Sequence, residues 1–296
     1  MPKKHKYIIT GATGKIGTEL IKVLNKDDYI VFTRSPNKLN KSIRKFVVDL
    51  SKDITIPKFK KYDTVIHLAA ETHIDRCEID REKKEFSLAW INNVLVTKHL
   101  TDYCLVNNKK LIMLSTECVF GGRKKSYSEK DKPSPINWYG VTKNESEKII
   151  LKNLKEFVVL RTVMAYGGVS KKIDLPKYIF SELTKNNVVH LSNNQKIAFT
   201  HTSDIVEAIL LSSQKNINGI YHFCGPDVLS PYELGKIIAK IYKFKKNLLV
   251  SKTLKEIHGV KMAKLRLKYS VLTNKKFINT TGYNSFTDLI NGLMFK

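Results

Sequence analysis

Runs of consecutive apolar residues recur along the chain: KYIITG (6–11), YIVFTR (29–34), KFVVDL (45–50), YDTVIHLAA (62–70), KLIMLS (110–115) and FVVLRT (157–162). None sustains an apolar–polar alternation, so each reads as a strand buried on both faces. Between them apolar positions return at helical spacing: over 15–24, over 86–106 through Phe86, Trp90, Val94 and Leu100, and over 139–153. Strands alternating with helices predict an α/β fold, a parallel sheet covered on both faces. Beyond Gly167 the rhythm changes. A less regular stretch (168–200) precedes a helix near 204–211, a strand GIYHFCG (219–225), a helix over 231–242, and a mixed remainder with a short helix near 286–293. The expected division is a nucleotide-binding core over 1–167, rejoined by 198–226, and a smaller substrate-binding lobe made of 168–197 and 227–296.

The first strand runs into GATGKIG, with Gly11, Gly14 and Gly17. Glycines there permit a tight turn, a close backbone approach to a pyrophosphate and tight helix–strand packing. The helix that follows offers free N–H groups and the positive end of its dipole. A glycine pattern alone is weak; its place between first strand and first helix makes it specific. The fold class is therefore a Rossmann-type doubly wound sheet, with Thr13, Lys15 and Ile16 among the expected cofactor contacts. The second strand ends in Thr33–Arg34–Ser35 with no acid. An acid there suits the ribose of NAD, an arginine the 2′-phosphate of NADP, so NADP(H) is favoured over NAD(H). A solvated surface arginine is the plainer alternative for Arg34. Lys15 adds charge to the loop, Asp49 and Leu50 are expected to flank the adenine, and the small Ala69 and Ala70 let a cofactor lie against the fourth strand's end.

The 296 residues carry a formal charge of +25 and a pI near 9.7. The lysines are scattered in pairs such as Lys60–Lys61 and Lys275–Lys276, with no basic tail or zinc-finger spacing. Diffuse charge is a solvated surface rather than a nucleic-acid footprint, though an anionic small ligand benefits from the field. Cys77, Cys104, Cys118 and Cys224 form no CxxC pair, so neither disulfides nor a metal site is expected. No membrane-length apolar run occurs, and the strand pattern from Tyr7 leaves no room for a signal peptide. A cytoplasmic protein is expected.

The fifth strand ends in LSTECVF (114–120), and NWYGVTK places Tyr139 four residues before Lys143. On a helix the two share a face. An ammonium beside a phenol favours phenolate, so the tyrosine pKa is expected to fall toward neutrality and make Tyr139 a general acid or base.

GATGKIG, DTVIHLAA, STECVF, YGVTK and LRTVMAYG (160–167) together resemble the extended short-chain dehydrogenase/reductases over nearly the full length. Within them NQKIAFTHTSDI (194–205), GIYHFCGPDVLSPYELGKII (219–238) and LRLKYSVL (265–272) look most like the dTDP-4-dehydrorhamnose reductases. The resemblance implies Thr116, Tyr139 and Lys143 as catalytic residues, Tyr139 and Lys143 also touching the cofactor. It implies NADPH-dependent reduction of the C4 ketone of a nucleotide-linked 4-keto-6-deoxyhexose, with homodimers through a helix bundle. The Asp–Glu pair of sugar-nucleotide 4,6-dehydratases is replaced by Glu117–Cys118, which argues against dehydration. A cysteine two residues after the hydroxyl is similar to GDP-fucose synthases and implies 3- or 5-epimerase chemistry through Cys118, with Lys172 and Lys177 as candidate partners. A small buried cysteine is the plain alternative. Resemblance to the regulatory subunit of methionine adenosyltransferase implies a rival, a non-catalytic NADP-binding subunit. Asn93 matches a helix asparagine that orients water or backbone near the lysine, and Arg266 is implied at a diphosphate. Arg161 is either half of an ion pair or a substrate contact. His67 reads as a satisfied core histidine, Trp90 and Phe86 as core, and His73, Asp75 and Glu78 have no trusted metal spacing.

Overall fold

The structure is a computed structural model and describes residues 5–52, 55–170 and 172–295. The apolar runs become β1 (Tyr7–Thr10), β2 (Tyr29–Thr33), β3 (Lys45–Val47), β4 (Thr64–His67), β5 (Lys110–Thr116) and β6 (Phe157–Thr162). With β11 (Gly219–Phe223) they form a seven-stranded sheet among the described residues, in the order β3-β2-β1-β4-β5-β6-β11, every pair parallel. Ile8, Ile9, Val65, Ile66, Leu111, Met113, Val158 and Val159 are fully enclosed. One face packs on α1 (Lys15–Val23) and α7 (Thr202–Gln214), through Leu20, Ile205 and Ile209. The other packs on α4 (Val96–Asn107) and α5 (Trp138–Asn153), through Val96, Leu100 and Ile150. Two-sided burial is what unalternated strands required. The chain order reverses between β1 and β4, and the carboxyl ends of strands at such a point are where open sheets bind ligands.

The helix expected over 86–106 is broken. A 3₁₀ stretch (Arg81–Phe86) with Lys84 at φ 48° precedes a short α3 (Leu88–Trp90), a π-helical turn (Ile91–Leu95) and then α4. The kink throws Phe86 out, 80% exposed, so it is not core as expected. Trp90 stays in and stacks on Trp138 with ring centroids 6.0 Å apart. The π turn rotates Asn93 inward, where it is buried.

Just before the stretch expected to be irregular comes β7 (Ala165–Tyr166), and the stretch itself holds α6 (Leu175–Thr184), β8 (Val189–Ser192) and β9 (Lys196–Ala198) and runs into β10 (Thr200–His201). The helix expected over 231–242 is α8 (Pro231–Ile241), preceded by β12 (Val228–Leu229), and the mixed remainder holds β13 (Leu249–Lys252), α9 (Leu254–Ala263), β14 (Tyr269–Ser270), α10 (Lys275–Thr281) and α11 (Leu289–Gly292). These strands are short and their partners distant: β8 pairs with β13, β9 with β12 and β14. Periodicity within a short window cannot report such pairings. Their core, with Ile179, Leu183, Leu191, Leu234 and Ile238, continues into Val119, Phe120 and Val163 beneath the sheet's end.

Candidate active site

Gly11 turns the chain at φ +70°, a conformation that disfavours a side chain. A Cβ there would meet Ala69 N and Leu68 C at 2.6 Å; one on Gly17 would meet Gly11 O at 2.3 Å. Thr10 Oγ1 accepts from the N–H groups of Leu68 and Ala69, both 3.2 Å, tying the end of β4 to the turn. Gly14 caps α1 without a side-chain bond, and Thr13 beside it is exposed, so the helix presents its amides unshielded by side-chain caps. A cradle emptied of Cβ atoms beside such amides fits a pyrophosphate. Ile16 packs into the sheet core, and Ala69 and Ala70 are half-buried at the cradle's edge. Lys15 differs from expectation. Its ammonium donates to Asp174 Oδ2 at 2.6 Å and to Lys172 O at 3.1 Å, so its charge is neutralised by a buried carboxylate. Arg34 lies exposed just past β2. Hydrogen bonds from Ser51 hold the Asp49 carboxyl low, with Arg34 and Lys52 assisting, and Leu50 is buried with its carbonyl bonded to His99.

Asn137 starts α5, its Oδ1 accepting from Gly140 N at 2.8 Å. Gly140 lets the helix approach the end of β5, because a Cβ there would sit 2.0 Å from Cys118 O. That approach sets Tyr139 against the Thr116 hydroxyl. Thr116 Oγ1 also donates to Glu117 Oε2 (2.8 Å) and accepts from Cys118 N (3.1 Å). Tyr139, Thr116, Cys118 and Lys143 are all buried, Lys143 only 2% exposed.

The electrostatics reverse one expectation. Burial pushes the Tyr139 phenol well above its ordinary range, and Cys118 and Glu117 push it further. Desolvation instead lowers Lys143 to about 8, partly opposed by Glu147. Low dielectric penalises the charged form of each group, and burial is the largest cause of both shifts. Burial, then Glu117, likewise holds Cys118 as a neutral thiol. Burial also raises the Glu117 carboxyl, against hydrogen bonds from Thr116, its own backbone and Ser270.

A polar frame stands behind these groups. Ser115 donates to Glu147 Oε1 at 2.5 Å, and Arg161 grips the same carboxylate through Nε (3.0 Å) and Nη2 (2.6 Å). Arg161 Nη1 donates to His222 Nε2 at 3.2 Å while His222 Nδ1 donates to Tyr127 O, which settles the imidazole tautomer. Arg161 is thus half of a buried ion pair, 3% exposed on each side, the first of its two readings. Asn93 bonds backbone as implied, accepting from Glu71 N (2.8 Å) and donating to Glu71 O (3.0 Å) and Thr142 Oγ1 (2.9 Å). His67 is satisfied between Thr10 (2.8 Å) and Thr97 (3.1 Å), and burial, with Lys143 nearby, lowers it to about 3. His73 caps α2 (Ile74–Ile79), Glu78 accepts from Trp138 N, and Asp75 pairs with Arg266. Lys177 turns its ammonium onto Gly168 O and Ser170 O.

Sequence reasoning missed Asn137, which links Gly140 to Leu265 O (3.0 Å) and bonds the Cys118 thiol. An Asn just before a helical pattern was its signal. It also missed Asp174, which joins Lys15, Gly167 N and Lys177 N; nothing local in the sequence marks that convergence.

A doubly wound sheet with a glycine cradle at its switch point, Thr116 at the end of β5 and Tyr139 and Lys143 on α5 beside it defines an extended short-chain dehydrogenase/reductase. Residues 5–288 match the RmlD substrate binding domain, and the chain belongs to that family. It is 28% identical over 244 residues to methionine adenosyltransferase 2 subunit beta of Xenopus laevis, covering 79% of this chain and 71% of that protein. It is 27% identical over 236 residues to dTDP-4-dehydrorhamnose reductase of Aggregatibacter actinomycetemcomitans, covering 77% and 76%. Its fold is similar to dTDP-4-dehydrorhamnose reductase of Bacillus anthracis in complex with NADP, with a TM-score of 0.80, 23% identity and 98% of each chain covered.

Proposed function

We propose that the protein reduces the C4 ketone of a nucleotide-linked 4-keto-6-deoxyhexose with NADPH. The observation that carries the reading is the hydrogen bond between Tyr139 and Thr116, with Lys143 buried one turn further along the same helix and the glycine cradle closing the end of β1 in the same sheet. Family membership and the named dehydrorhamnose reductases support the substrate class. Gly11, Thr13, Gly14, Ile16, Gly17, Arg34, Asp49, Leu50, Ala69 and Ala70 would hold the dinucleotide, with 1–167 and 198–226 as its core and the rest as the substrate lobe. A bound nicotinamide supplies the hydride. Thr116, its proton swung from Glu117 to the substrate, and Tyr139 donate to the carbonyl oxygen as it gains charge, and Tyr139 gives up its proton to it. The raised phenol pKa suits this direction, since reduction needs the acid protonated.

The test is incubation with NADPH and a panel of dTDP-, UDP- and GDP-linked 4-keto-6-deoxy sugars, with and without a 2-acetamido group. Coenzyme oxidation with one of them is expected; binding of NADPH with no oxidation by any would sink the reading. In D₂O, solvent deuterium at C3 or C5 that Cys118→Ala abolishes would add epimerisation. As a neutral thiol Cys118 is suited to returning a proton to carbon rather than removing one.

Two further outcomes follow. Arg34→Ala should weaken NADPH about tenfold or more while sparing NADH, the scale of a charged hydrogen bond; titration of both coenzymes checks it. If the reaction needs cationic Lys143, kcat/KM should fall as pH rises through about 8, since the lysine is charged below that value and neutral above it. A flat profile to pH 10 removes that role. Similarity to methionine adenosyltransferase 2 subunit beta supports a second reading, a non-catalytic NADP-binding subunit. A stoichiometric enzyme partner in a pull-down, with no turnover alone, would favour it.

A further inference from the structure

The catalytic side chains are roofed over. The segment from Lys264 to Tyr269, between α9 and β14, crosses them, and Leu267 packs in one apolar cluster with Cys118, Trp138 and Tyr139 at 2% exposure. The segment is tied along its backbone: Leu265 O accepts from Asn137 Nδ2 (3.0 Å), Leu267 O from Gln195 Nε2 (2.8 Å) and Lys268 O from Lys196 N (2.8 Å). Its one charged tie to α2 across the site is Arg266, whose Nη2 donates to both Asp75 oxygens at 2.7 and 2.8 Å. Ile74, next to Asp75, packs on the same cluster. Upstream, Gly259 breaks α9 at φ +72°, with nothing within 4 Å of where a Cβ would be.

Arg266 has a second environment. It lines a cleft of about 540 Å³ together with Arg123, Lys125, Lys264 and Lys268, and among the described residues none that lines it is acidic. The guanidinium therefore stands between a half-exposed carboxylate (Asp75, 42%) and a space of purely positive charge. An exposed ion pair is weak, whereas a phosphate can bind the guanidinium's fork bidentately. An anion entering the cleft is also favoured by the four other cations that line it.

We propose that residues 264–269 form a strap latched shut over Thr116, Cys118 and Tyr139 by the Arg266–Asp75 pair, and that a diphosphate-bearing ligand in the basic cleft releases it by taking Arg266. Only the identity of that ligand rests on the proposed function.

Cys118 under the strap is the reporter. Its alkylation by iodoacetamide is followed by peptide mass spectrometry on the full chain, with Cys104 and Cys224, buried elsewhere, as internal controls. Asp75→Asn is expected to raise the Cys118 rate about fivefold, the factor a pair of this exposure contributes, and to leave both controls unchanged. Exchanging the charges, Asp75→Arg with Arg266→Asp, should restore the slow rate. Inorganic pyrophosphate at matched ionic strength should speed labelling of the wild type and have no effect on Asp75→Asn. Equal Cys118 rates in wild type and Asp75→Asn, or a rise shared by all three cysteines, overturn the latch. A pyrophosphate effect absent from the wild type, or equal in both proteins, overturns release by the anion. No turnover is measured, so failure of the reductase reading and failure of the latch are separate results.

Discussion

Replacing Tyr139 by Phe is expected to lower kcat for ketone reduction by about 10²–10⁴-fold, the range a positioned general acid contributes. The ring stays in its cluster with Cys118, Trp138 and Leu267, so folding and coenzyme binding should hardly change. Phe removes only the hydroxyl, a group whose burial works against ionisation and keeps its proton in place. Thr116→Ala should cost about 10²–10³-fold, the loss of one donor to a developing oxyanion. It also frees Glu117, whose carboxylate Thr116 now donates to, so part of its effect should appear in KM. Single-turnover measurement of coenzyme oxidation separates the two variants. A Tyr139→Phe protein with wild-type turnover would remove the phenol from the mechanism.

The largest effect on stability is expected at Arg161. Arg161→Met leaves the buried Glu147 carboxylate with Ser115 as its remaining hydrogen-bond partner and Lys143 as a cation that only acts on it electrostatically. Removing one half of a buried pair costs about 3–5 kcal/mol, because the remaining charge has lost both water and its counter-ion. The double variant with Glu147→Met should regain a large part of that loss, since paired apolar replacements are often close to neutral. Urea denaturation of the single and double variants measures both. The frame joins the end of β5, α5 and the edge strand β11 through Ser115, Glu147, Arg161 and His222, so the single variant should also lose activity beyond its loss of folded protein.

The sheet was legible because each central strand announces itself locally: YII, VI, LIML and FVVL are apolar on consecutive positions, and only two-sided burial asks for that. The cradle was legible for a similar reason. Gly11 and Gly17 answer to contacts within the strand–turn–helix unit and the adjoining end of β4. Lys15 was misjudged from sequence because its partner, Asp174, lies far along the chain. Phe86 was misjudged because a kink at Lys84, invisible to a spacing rule, took it out of register.

By itself, then, the amino-acid sequence determined the doubly wound sheet, the glycine cradle and the helical spacing of Tyr139 and Lys143, since short-range periodicity and spacing specify these, while Thr116 was implied by resemblance. Only the tertiary structure decided their charge states and their cover. Burial raised Tyr139 and lowered Lys143, Glu147 claimed Arg161, and Arg266 crossed the site to Asp75. Desolvation and pairing depend on what distant segments bring together, and that is written in the packing rather than in any stretch of chain.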